Sequence, residues 1–232
     1  MIILDEISKG LNTLEVLRKE IEHFAFLNQY GFSEGDIRFH FPNQINRVLI
    51  FNNLNLSYFE RVIRHKEKLD QVLPTPTNAD HFYVMENYIK MARLNLATNL
   101  CMVLENYIRK IMESVEKKDN HKEKIFELRK RLFEMMNIEE GDMIRKAQTI
   151  LFEIRNGIHN NSVFSKKGER FEKSIFYGYK LHIFKYGTPI NSADLETLSH
   201  IVKDVFEFYK LTLDMQQLQN LQYIPGSSQY PL

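Results

Sequence analysis

The stretch HFYVMENYIKMARLNLATNLCMVLENYIRKIMESV, residues 81–115, carries apolar side chains at Tyr88, Met91, Leu94, Ala97, Cys101, Leu104, Tyr107, Ile108 and Ile111. Steps of three and four residues place them on one face of a helix. No glycine or proline interrupts the run, so the pattern predicts one long helix. Working outward, the same period recurs over residues 5–29 (Ile7, Leu11, Leu14, Leu17, Ile21, Phe24, Leu27), with Gly31 as a stop. Residues 31–44, GFSEGDIRFHFPNQ, show no period and read as a loop. A second helix is expected from about Ile45 to Val72. LPTPTNAD, residues 73–80, has two prolines that end it, and Asp80 is placed to cap the long helix that follows.

Beyond residue 115, the polar joint EKKDNHKEK leads into a helix that ends at Met136, with Ile125, Leu128, Leu132 and Met135 inside. Its cations Lys122, Arg129, Lys130 and Arg131 are mixed with Glu123 and Glu127, which reads as a solvated face. Asp142 is a good cap for a helix carrying Met143, Ala147, Ile150, Ile154 and Ile158, which frays at Asn160 and Asn161. SIFYGYKLHIFKYG, residues 174–187, is aromatic and β-branched and reads as a strand or hairpin. A last helix is expected from about Asp194 to Leu218, followed by a tail. The fold class is therefore all-α: an N-terminal helical extension over 1–73, a helical bundle over 80–218 with a β insertion at about 163–187, and a tail over 219–232.

Composition narrows the function classes. The chain has 232 residues, 44% of them hydrophobic, enough for a substantial core. Its net charge of +1 gives no global field for nucleic acid, so any polyanion site must be a local patch. A single cysteine, Cys101, rules out an intrachain disulfide and suggests a reducing compartment. The apolar run at the N-terminus is too short for a signal peptide, and LNLATNLCMVL is too short to span a bilayer. A cytoplasmic location without membrane association is expected. The histidines have no paired metal-ligand spacing, and the phosphate-binding glycine motifs are absent, so neither a metal nor a cofactor is expected.

One segment suggests chemistry: EIRNGIHNNSVF, residues 153–164. Arg155 and His159 are four apart and share a helix face beside the apolar stripe, with Asn156 and Asn160 on the neighbouring face. A free histidine titrates near pH 6.5 and moves protons near neutrality, and a close Arg⁺ keeps it neutral and basic. Arginine supplies a planar donor fork suited to phosphate. Gly157 costs roughly 1 kcal/mol in a helix interior, a cost that suggests close backbone approach from a partner chain or a ligand. The plainer reading is a helix end whose cations favour the macrodipole. Glu105 and Arg109 in LENYIRK form an i,i+4 pair that needs no further role.

IRNGIHNN on a late helix of an all-helical chain resembles the HEPN family. Those domains are helical bundles marked by an Arg, usually a polar residue after it, and a His a few residues on. The resemblance covers about residues 81–216, with the helices at 81–115, 121–136, 142–160 and 194–218 as the four-helix core. It implies a metal-independent endoribonuclease of a phage-defence or toxin–antitoxin system. Arg155, Asn156 and His159 would be the catalytic residues, and the chain would form a homodimer through the motif helix, with RNA as substrate and an antitoxin or other defence protein as possible partner. Asn160, Lys166, Lys167 and Arg170 would touch the RNA backbone at the cleft rim, although such a basic run is more often a solvated turn. The family's usual Arg–His spacing is longer than the three residues found here. That difference motivates a second reading, a non-catalytic HEPN-like dimeric scaffold that binds RNA or a partner protein.

Overall fold

The computed structural model describes residues 2–27, 30–159, 172–185, 187–188 and 193–226. In chain order the elements are α1 (Ile2–Leu27), α2 (Ile37–Tyr58), a π-helical turn (Phe59–Ile63), α3 (Lys66–Leu69), α4 (Asn78–Glu116), α5 (Ile125–Met135), α6 (Met143–His159), β1 (Glu172–Tyr177), β2 (Lys180–Lys185), α7 (Leu195–Leu213) and α8 (Gln216–Gln219). The helical class and the hairpin expected from the sequence are both present.

The start of α4 is fixed by a capping box. Thr77 accepts from the Asp80 backbone N–H, and the Asp80 carboxylate accepts from that of Thr77. The cap is therefore Thr77, not Asp80 as expected, because the pair satisfies two otherwise orphaned donors together. The helix then runs 39 residues, about 58 Å at 1.5 Å per residue. It packs on α2 and, through other faces, on α5, α6 and α7. α1 lies against α2 and α7, so one hydrophobic core runs from Ile7 and Phe41 through Tyr107 to Ile150 and Phe206. Gly10 lets α1 approach α7 closely: a Cβ there would lie 2.8 Å from Leu195 Cβ.

The segment expected to be a loop is the first half of α2. Its period is hidden because Pro42 sits inside the helix. Two features let the helix form. Asp36 caps it, and its carboxylate also pairs with Arg38 at 2.6 Å, both side chains being buried. Pro42 has no N–H to give the Arg38 carbonyl, and the Tyr209 hydroxyl of α7 donates to that oxygen instead, at 2.5 Å. At the other end, the expected helix to Val72 is broken by the π-helical turn and the short α3.

The Arg38 guanidinium also donates to the carbonyls of Leu218 and Leu221, and Asp36 accepts from the Ile224 N–H. Ile37 and Gly226 complete the fastening through backbone bonds to Ile224 and Gly35. The expected tail is thus tied to the start of α2 as far as Gly226, and α7 ends at Leu213 rather than at Leu218. Residues 227–232 lie outside the described residues.

In the hairpin, Gly178 and Tyr179 have φ of 57° and 61°, as a two-residue type I′ turn requires. Ile175, Tyr177 and Phe184 face inward. The Tyr177 hydroxyl donates to Asp204 of α7 at 2.8 Å, and Lys173 pairs with Glu153 of α6 at 3.2 Å. The hairpin is thereby held beside α6.

Tyr209→Phe should cost about 1–2 kcal/mol by urea unfolding, since it orphans a buried carbonyl. In a Pro42→Ala background, where an N–H can reach the Arg38 carbonyl, the loss should shrink. Equal losses in both backgrounds would contradict the substitution of hydroxyl for backbone donor.

Candidate active site on the sixth helix

Asp142 caps α6, accepting from the Ile144 N–H at 2.8 Å. Ala147, Ile150, Leu151, Ile154 and Gly157 are buried along one stripe, which packs on α4 and α7. Gly157 is thus covered by the chain's own fold. Arg155 and Asn156 lie on the flank beside this stripe.

Arg155 is partly buried on that flank, and its Nη2 lies 3.7 Å from Oε2 of Glu105 on α4. At this length the contact is an ion pair rather than a hydrogen bond. Glu105 is itself held: its Oε1 accepts from Arg109 Nε at 3.1 Å and Nη2 at 2.8 Å. Arg109 is fixed in turn by donating to the carbonyls of Asn120 and Glu123. The i,i+4 pair read from the sequence is therefore the anchored half of a three-member chain, Arg109–Glu105–Arg155. Two guanidinium groups share one carboxylate, which leaves net positive charge beside the motif. Helical spacing displays Glu105 and Arg109 together, but which residue of another helix they meet depends on how α4 and α6 pack.

Asn156 is exposed next to Arg155. The backbone of His159 closes α6, and its side chain lies outside the described residues, as do Asn160, Lys166, Lys167 and Arg170. Cys101 sits one turn before Glu105 and is fully buried. Burial pushes its thiol up to about 12 despite nearby Arg155, so it is no nucleophile at neutral pH.

Arg129 corrects the expectation of a solvated face on α5. It is only 7% exposed, and among the described residues no carboxylate lies within ion-pair distance. Its guanidinium lies 4.4 Å from the Phe152 ring centroid and donates to Thr149 through one long bond of 3.4 Å, while Nε has no partner. Desolvation by burial brings its pKa down to about 10. Among the described residues Gln148, fully buried on α6, also has both amide atoms unpartnered. The basic run Arg129-Lys130-Arg131 hides this because Leu128, Leu132 and Phe133 turn the stripe so that Arg129 falls beside it. Arg131 is engaged by Glu116 and Glu123.

A cavity of about 250 Å³ lies under the hairpin, lined by Ile150, Ile154, Arg93, His182 and Asp194 among others. Arg93 is paired there with Glu6, and Lys180 with Asp194 and Glu196. Arg155 does not line it.

Comparison with protein-family models, with curated proteins and with solved structures gives no match for this chain.

Arg129→Met removes a buried charge that, among the described residues, no carboxylate pairs with, and should leave stability unchanged or higher by about 1 kcal/mol. Arg38→Met strands the buried Asp36 carboxylate and should cost about 3 kcal/mol or more. Urea unfolding of both variants makes the comparison; equal losses would contradict the assignment of Arg129 as unpaired.

Proposed function

We propose that the chain is a HEPN-type helical bundle acting as a metal-independent endoribonuclease in prokaryotic phage defence or a toxin–antitoxin system. The observation that carries this reading is Arg155, tethered through Glu105 to an anchored Arg109, with exposed Asn156 beside it and His159 one helical turn on. A guanidinium held by an ion pair of 3.7 Å is oriented without being locked, so a phosphate oxygen can compete for it. Two motif helices would meet across a two-fold axis, each offering an Arg155 and a His159 to one RNA phosphate. His159 of one copy takes the proton from the 2′-OH as its oxygen attacks phosphorus. The bond from phosphorus to the 5′ oxygen breaks, and the other His159 returns a proton to that leaving oxygen. Arg155 stabilises the charge on the phosphoryl oxygens and Asn156 orients it. The products are a 2′,3′-cyclic phosphate and a 5′-hydroxyl.

The short spacing between Arg155 and His159 and the engagement of Arg155 by Glu105 also fit a second reading, a non-catalytic dimer that binds RNA or a partner protein. One experiment separates the two. Purified protein is incubated with mixed RNA in EDTA. Cyclic-phosphate ends that vanish in Arg155→Ala and in His159→Ala, each folded by circular dichroism, are the expected result. Cleavage that survives both substitutions overturns the assignment. Intact RNA that is bound but not cut supports the scaffold. For an enzyme in which Glu105 positions Arg155, Glu105→Gln should lower kcat about tenfold or more while changing KM little.

A further inference from the structure

α2 is apolar on two sides, and the fold covers only one of them. Phe41, Ile45, Val48, Leu49 and Leu56 are buried against the chain. On the far side, Phe51 is 55% exposed, Leu54 61% and Tyr58 41%. Exposed Arg47 begins this stripe, which proceeds in steps of four, three and four residues, the spacing of a helix–helix seam. Ile50, 38% exposed, widens it. Among the described residues Arg47 has neither an ion pair nor a side-chain hydrogen bond, although it ends an otherwise apolar row. A solvent-facing helix has no need of such a stripe, and an apolar row of this kind marks a contact surface.

We infer that this face of α2 docks against the same face of a second copy of the chain, the two helices running antiparallel about a two-fold axis. The stripe is complementary to itself in that arrangement. With the axis between residues 51 and 54, Phe51 of each copy meets Leu54 of the other. Arg47 then lies across the Tyr58 ring of the other copy, a cation over an electron-rich face. Each end of the stripe supplies what the opposite end lacks, as an isologous contact requires. The net charge of +1 sets no long-range repulsion between copies. This surface is on α2, whereas the proposed catalytic pairing uses α6, so the inference stands apart from the ribonuclease reading. If both contacts form, four chains assemble.

Light scattering after size exclusion, over a range of concentrations, tests the contact on the full chain. The double variant F51E/L54E changes only exposed positions and should halve the mass of the assembly while leaving the far-ultraviolet circular dichroism unchanged. R47E alone should weaken association about tenfold, and adding Y58R should restore it by re-pairing opposite charges across the axis. A wild-type chain that stays monomeric throughout overturns the inference, as does a mass that F51E/L54E leaves unchanged. Restoration by R47E/Y58R fixes the antiparallel register; failure of the pair to restore what R47E removes overturns that register.

Discussion

The hydroxyl of Tyr209 on the Arg38 carbonyl is the contact on which the arrangement turns. Pro42 leaves that oxygen without its helical donor, and a buried carbonyl cannot go unpaired without cost. Satisfying it from α7 ties α2 to α7. The Tyr209 ring lies 5.3 Å from Phe41 and 5.7 Å from Tyr107, and the Tyr107 hydroxyl bonds Thr212 of α7. α4 is thereby fixed to both neighbours at residue 107. Glu105, which meets Arg155 of α6, is two residues earlier on the same helix.

Around that junction, two buried arginines illustrate opposite solutions. Arg38 has a carboxylate on one side and carbonyls on the other, and uses them to hold the C-terminal segment against α2. Arg129 has aromatic rings and one long hydrogen bond. The first arrangement joins distant parts of the chain. The second leaves a guanidinium with which, among the described residues, no carboxylate pairs.

Much of the fold was legible in the sequence where one period dominates. α1, α4, α5 and α6 follow from apolar spacing, and the hairpin follows from its aromatic and β-branched run around Gly178. What escaped was tertiary in origin. The first half of α2 looks like a loop because its proline is rescued by a tyrosine 167 positions later, which no local pattern encodes. Arg129 looks solvated because three consecutive cations conceal which one turns inward. At the site, Arg155 and Asn156 stand out by spacing, and Glu105 stands out only as half of a local pair. Its reach to Arg155 exists because α4 and α6 pack together. Gly157, which invites another molecule by its missing side chain, is buried within the chain's own fold.

The central claim is that Arg155 and His159 of two copies share one RNA phosphate. It is tested most directly by co-expressing wild-type and His159→Ala chains under separate tags and assaying the purified mixed dimer for RNA cleavage in EDTA. The mixed dimer keeps both arginines but one histidine at the shared cleft, so one of the two proton transfers loses its carrier. Its rate should fall about tenfold or more below that of the wild-type dimer. A mixed dimer that keeps about half of the wild-type rate would show that each chain cuts by itself and would contradict the account.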